Sequence, residues 1–134
     1  MSLAAVRQAL EQRLDALLPA LETGWENQDF DPPSADPFQE VQLLPTEPDN
    51  PEFGPLVVEQ GILQVTLCYP LGAGPAAAAA RAELVQAQFA RGTSLVQGGV
   101  VVTIERTPEI GVALIDDARY RLPVRVRWYA NVGG

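Results

Sequence analysis

Histidine and lysine are both absent from the chain, and cysteine occurs once, at Cys68. Without histidine there is no Ser-His-Asp or Cys-His catalysis and no His-ligated metal site. One cysteine makes no intrachain disulfide and no cysteine-based zinc site, which fits a reducing compartment or a domain that needs no staples. Without lysine there is no phosphate-binding Gly-Lys-Ser/Thr loop. Apolar runs are short, none approaching the roughly 20 residues that span a bilayer, so no membrane partner is expected. Met1-Ser2-Leu3 leads straight into an amphipathic pattern carrying Glu11 and Asp15, and no signal peptide is expected there. The inventory predicts no enzymatic activity and no cofactor, with no catalytic, cofactor-binding or metal-ligating residue assigned.

What is present is a globular composition, 47% hydrophobic and 19% charged in 134 residues, enough for one domain spanning 1–134 with one core. Its charge is uneven. All nine basic residues are arginine, and none lies between Arg13 and Arg81, a stretch that holds eleven carboxylates from Asp15 to Glu59. Residues 81–134 carry seven arginines against five acids. An acidic half followed by an arginine-bearing half suits complementarity between copies or with a partner, but charge alone favours the plainer reading of a solvated acidic surface. A net charge of −8 argues against specific nucleic-acid binding through phosphates.

Leu3, Val6, Leu10, Leu14, Leu17, Leu18 and Leu21 recur at three- and four-residue steps, which predicts an amphipathic helix over 3–18 with Ser2 as N-cap and Pro19 as its stop. Residues 29–55 hold seven of the twelve prolines and read as loop around one strand at 38–44. A strand over 56–69 turns Leu63, Val65, Leu67 and Tyr69 to one side and Ile62, Gln64, Thr66 and Cys68 to the other. Gly72-Ala-Gly74-Pro75 opens a second helix over 75–90, with Ala78, Ala82, Val85 and Phe89 on one face and Gly92 as stop. Strands follow at 100–106, after Gly98-Gly99, and at 119–130, with a short one possible at 112–115. Leu122, Val124, Val126 and Trp128 share a face of the last strand, and Pro123 demands an edge or a bulge. The fold class this predicts is α+β: two helices packed on one face of a mixed, mainly antiparallel β-sheet. The segments Pro45–Pro55 and 107–118, poor in apolar periodicity, are expected to project from it.

Three constellations invite chemistry. Gly72-x-Gly74-x-x-Ala77 fits a loose dinucleotide fingerprint, but Pro75 removes a helix-start N–H, no acid stands near position 95 for a ribose, and a glycine-rich helix entry explains it as well. Asp116-Asp117 reads as a turn former rather than an acid–base pair. Cys68 reads as a small strand residue, with no cation near it in sequence to activate a thiol. Arg119, Arg121, Arg125 and Arg127 are all odd-numbered and share one strand face, where four guanidinium groups need intervening acids. These acids belong either to the same chain or to a neighbour.

An ordered series of short motifs runs from Phe38 to Tyr129: Leu44-Pro-Thr-Glu-Pro-Asp-Asn-Pro51, Glu59-Gln-Gly-Ile62 with Val65, Tyr69-Pro-Leu-Gly-Ala-Gly74, Phe89-Ala-Arg-Gly-Thr-Ser-Leu95, Gly98-Gly-Val100, Ile104-Glu-Arg-Thr-Pro108 and Leu122-Pro-Val-Arg-Val-Arg-Trp-Tyr129. This series resembles small prophage-encoded proteins that look like the tail terminators of long-tailed, non-contractile phages. The resemblance covers about two-thirds of the chain and supplies no catalytic motif. It implies a structural virion protein of the phage tail, made in the bacterial cytoplasm. Such a protein forms a hexameric ring on the tail tube, stops tube elongation and offers the head-attachment surface. Its implied partners are other copies of itself, the tail tube protein and the head–tail connector. A head–tail completion or connector protein is the alternative, and a small nucleotide-binding domain a remoter one. A ring needs two unlike patches. Arg121, Arg125 and Arg127 are the candidates on one side, and Glu47, Asp49 and Glu52 of a neighbour those on the other.

Overall fold

A computed structural model describes residues 2–33, 36–46 and 57–132. The chain runs α1 (Ser2–Asp15), β1 (Glu22–Gly24), β2 (Phe38–Pro45), β3 (Val57–Pro70), α2 (Ala76–Gln88), β4 (Ser94–Gln97), β5 (Val100–Ile104), β6 (Glu109–Ile110), β7 (Leu114–Ile115) and β8 (Arg119–Val132). All strands join one sheet in the order β1-β2-β3-β8-β5-β4, with β6 and β7 also paired to β8. Among the described residues only the β1–β2 pair is parallel. The architecture is α+β, a mixed and mainly antiparallel sheet, as the periodicities predict.

One face of the sheet carries the core. Leu63, Val65 and Leu67 of β3 lie in register with Val126, Val124 and Leu122 of β8, and all six are buried. Both helices cover this face: Val6, Leu10 and Leu14 from α1, and Ala78, Ala82 and Val85 from α2 with Phe89 just beyond it, join the same cluster. Each large side chain buried there contributes about 2 kcal/mol of hydrophobic stabilisation. The helices are also tied end to end by a reciprocal pair. Arg13 Nε donates to the Gln88 carbonyl at 2.9 Å, and Gln88 Nε2 donates to the Arg13 carbonyl at 2.8 Å. Trp128, wholly buried, packs where Gly61 lacks a side chain. A Cβ there would stand 2.7 Å from both the Trp128 ring and the Leu44 carbonyl oxygen. Gly98 and Gly99 both take positive φ, the requirement of the tight turn that joins β4 to β5.

Helix α1 stops at Asp15 rather than 18. The Leu17 N–H bonds back to the Leu14 carbonyl in a tighter turn, which buries Leu17 and leaves Leu18 exposed; Leu18 is not a core residue. The side chain of Ser2, the predicted cap, lies outside the described residues. Pro75 precedes α2 as its N-cap, its carbonyl accepting from Ala79 N–H at 3.0 Å.

The 107–118 segment does not project. Together with β5 it runs antiparallel along β8 as an interrupted strand. The interruption has a physical cause. Ile110 pairs with Val124 and Leu114 with Arg121, so residues 111–113 bulge past Leu122 and Pro123. The Pro123 carbonyl accepts from Gly111 N–H at 2.9 Å. A strand residue turns its N and its carbonyl to the same side, so the missing proline donor faces this bulge and spares the β3–β8 ladder. Of Pro45–Pro55, residues 47–55 lie outside the described residues. Pro45 itself ends β2, and Thr46 N–H is held by the Gln60 carbonyl at 2.9 Å.

Candidate functional site

The face of the sheet away from the helices carries the arginine column. Arg119 is buried and structural. Its guanidinium lies 4.9 Å from the Phe38 ring centre, and it donates to the carbonyls of Asp36, at 2.9 Å, and Pro33. Phe30 packs on Phe38 with ring centres 5.6 Å apart, so a small second core seals this end of the outer face. Arg121 is also engaged within the chain. It meets Asp116 at 2.6 Å and Glu40 at 2.7 Å. Asp116 accepts in addition from the backbone N–H groups of Ala118 and Arg119. The bond from Arg121 first, and these backbone donors next, hold its carboxyl down at about 2. Asp116 is therefore a turn former locked to an arginine.

Arg125 Nε donates to Gln64 Oε1 at 3.2 Å and stands 3.8 Å from Glu109. Arg127 is exposed and makes no ion pair among the described residues. Local acids and amides thus occupy most of the column. Glu47, Asp49 and Glu52 lie outside the described residues.

In space, though not in sequence, a cation does stand beside Cys68. Arg121 Nη1 approaches its Sγ at 3.3 Å from the paired strand, a contact that sequence distance conceals. It does not activate the thiol. Burial pushes the pKa up to about 11 and outweighs the Arg121 charge, with Glu40 adding to the rise. Among the described residues no group of three His, Cys, Asp or Glu could hold a metal ion, and no helix is long and apolar enough to cross a membrane. The strand before the Gly72–Ala77 turn is antiparallel to both its neighbours, so the parallel crossover of a dinucleotide site is not formed.

The two margins of the sheet differ. At β2 the outward Leu43 N–H is capped by Glu26 Oε1 at 2.9 Å, and the same oxygen accepts from Arg7 at 2.9 Å. The Leu43 bond and then the Arg7 bond hold the Glu26 carboxyl below the usual range. β1 covers Phe38 to Glu40, and Pro45 has no N–H to offer. The opposite margin, outside β6 and β7, exposes Ile110, Val112, Leu114 and Ile115 at 37%, 85%, 68% and 71%. Ile110 stands opposite Val124, Ile115 opposite Tyr120 and Leu114 opposite Arg121, so this aliphatic ridge shows on both faces of the margin.

Sequence reading missed this ridge because a proline, a glycine and an acidic turn surround it. The density of aliphatic residues from Ile110 to Ile115 was the available signal. It also missed Arg81, buried on α2 with Nη1 on the Pro19 carbonyl. Burial, only partly offset by Tyr69, lowers the pKa of that guanidinium. Helical spacing from Ala78 and Val85 already placed Arg81 on the covered face.

The comparisons with known proteins agree with this architecture. Among curated proteins none matches the chain. Five solved chains match. One of them is 26% identical, with a TM-score of 0.77 over 97% of this chain and 96% of its own. A family model described as phage tail terminator protein matches residues 5–128, from α1 to the Trp128 that closes the core. This chain belongs to the phage tail terminator protein family.

Proposed function

We propose that this tail assembly protein caps the completed tail tube as a ring of identical copies, most simply six, and stops further addition of tube subunits. The ring then presents the surface to which the filled head attaches. The observation that carries this reading is the family match over 5–128 on a chain whose fold it spans from first helix to last strand. The surface supports it as well. Exposed aliphatic side chains lie along one sheet margin, as suits a protein that works by contact. Its partners in this reading are its own copies, the tube protein and the head–tail connector. Arg125 and Arg127 of one copy face carboxylates of the next, for which Glu47, Asp49 and Glu52 are the candidates. Arg121 contributes through the ion pairs that order its own strand. Such rim pairs align subunits, and apolar burial supplies most of the affinity.

Electron microscopy of tails assembled without this protein tests the reading. Overlong tubes are expected. Tubes of normal length that lack heads would overturn it in favour of a head–tail completion role. Charge reversal of Arg125 and Arg127 to Glu, followed by sizing of the assembly, tests the arginine contact separately. An unchanged ring would remove that contact and leave the capping role standing.

A further inference from the structure

A charged groove of about 460 Å³ lies where the chain passes from β5 to β6, lined by Arg91, Glu105, Arg106 and Thr107. Arg91 is exposed and makes no ion pair among the described residues. Arg106, its side chain 72% exposed, has only its sequence neighbour Glu105, at 3.9 Å, and such a pair is worth little in water. Arg127 stands opposite Glu105, whose N–H donates to its carbonyl at 2.9 Å, and adds a third cation at this end of β8. The groove is thus positive on a chain of net charge −8. The far corner of the sheet has the opposite sign. Glu22 stands opposite Phe38 in the β1–β2 register. Asp29 and Asp31 flank Phe30, which packs on Phe38, and Asp36 lies two residues before Phe38. These four carboxylates are exposed, and none makes an ion pair among the described residues. The one cation among them, Arg119, is buried with its donors on backbone carbonyls, so the corner stays negative.

We propose that the Arg91–Arg106 groove of one copy receives the acidic corner of a second copy, with Asp29 and Asp31 facing the two arginines. The second copy is favoured as occupant because carboxylates with no ion-pair partner of their own stand on this chain, out of reach of its own groove. Phe38 lies in the row of Arg121, and Glu105 in the row of Arg127. Those rows are six residues apart along β8, about 20 Å at ~3.3 Å per residue. Across the sheet β1 and β5 are four places apart, about 19 Å at ~4.8 Å per strand. Two unlike patches on opposite corners make a head-to-tail contact, which closes into a ring or runs on as a filament. Phosphates are the lesser match, since a few arginines on an acidic chain hold nucleic acid weakly. The inference rests on the ring reading for its closure, and adds which surfaces meet.

Exchange of charge decides it. One variant carries Arg91→Glu with Arg106→Glu, the other Asp29→Arg with Asp31→Arg. All four positions are exposed, and urea unfolding of each variant should match the parent. Full-length chains are sized by sedimentation at low salt, and their retention on assembled tails is measured. Each variant alone sets like charges together and should associate more than about tenfold less tightly than the parent. An equimolar mixture sets the reversed groove of one against the reversed corner of the other, and the unaltered groove against the unaltered corner. Association should then return, and weaken as salt rises. Variants that each associate as the parent does overturn the proposal. So does a loss that mixing fails to restore both in solution and on tails, which would mean a different occupant. So does a parent chain that neither associates nor is retained. Tail length without the protein judges the capping role independently. Overlong tubes with no recovery on mixing would remove this interface alone, and recovery with tubes of normal length would remove the capping role alone.

Discussion

The two margins of the sheet solve the same problem in opposite ways. A sheet edge offers unpaired backbone groups to any passing strand. At β2 the chain closes that offer with a short parallel strand, a proline without a donor, and the Glu26 carboxylate on Leu43 N–H. At β6–β7 the margin instead carries four exposed aliphatic side chains. A chain that seals one edge with a buried arginine, two phenylalanines and a carboxylate cap, and leaves the other apolar, has the means to close both. The open margin is therefore where contact with another protein is to be sought.

Substitutions at the sealed margin should cost stability, those at the open margin assembly. The largest effect is expected for Phe38→Ala. It empties the outer cluster between Phe30, Cys68 and Arg119 and should lower unfolding stability in urea by about 3–4 kcal/mol. Arg119→Ala strips the donors from the Asp36 and Pro33 carbonyls and the cation from the Phe38 ring. It should cost about 2 kcal/mol, with Arg119→Lys recovering only part of that.

Glu26→Ala should cost about 1 kcal/mol and has two further signatures. Amide exchange at Leu43 should accelerate, because its acceptor is gone. The pH dependence should change as well. The folded-state pKa of Glu26 is lowered, chiefly by Leu43 N–H and then by Arg7. Its contribution is then complete above the ordinary glutamate value near pH 4.3 and is lost as pH falls through the lowered value. The variant should therefore lose less stability than the parent on acidification below roughly pH 4. Unchanged Leu43 exchange would show that the edge is closed by something other than this carboxylate.

The smallest effect on the isolated chain is expected at the open margin. Val112→Asp should shift unfolding by no more than about 0.5 kcal/mol, the range for exposed positions. A loss of several kcal/mol would mean the ridge belongs to the chain's own core and would erase the contrast between the margins.

The helices and the four long strands were legible because each repeats its apolar residues at the period of its own backbone. Leu63, Val65 and Leu67 alternate, and Ala78, Ala82 and Val85 recur at helical spacing. Of the short strands, only Leu114–Ile115 was, within the stretch 112–115. Glu22–Gly24 and Glu109–Ile110 are too brief for a period, and exist because a longer neighbour offers hydrogen bonds. The arginine face was legible as a face, yet its use was not, since Glu40 and Asp116 reach Arg121 from β2 and from a turn. Glu40 lies 81 residues away in sequence.

By itself the sequence determined the α+β class, the face that forms the core, the want of catalytic histidine and the family signature, since each depends on residue type and local period. Tertiary structure alone decided which arginines are engaged, that Cys68 is buried beside a cation without becoming reactive, and which margin carries exposed aliphatic side chains. These depend on partners brought together across the sheet. Desolvation and pairing at such contacts follow from distance in space, which spacing along the chain does not encode.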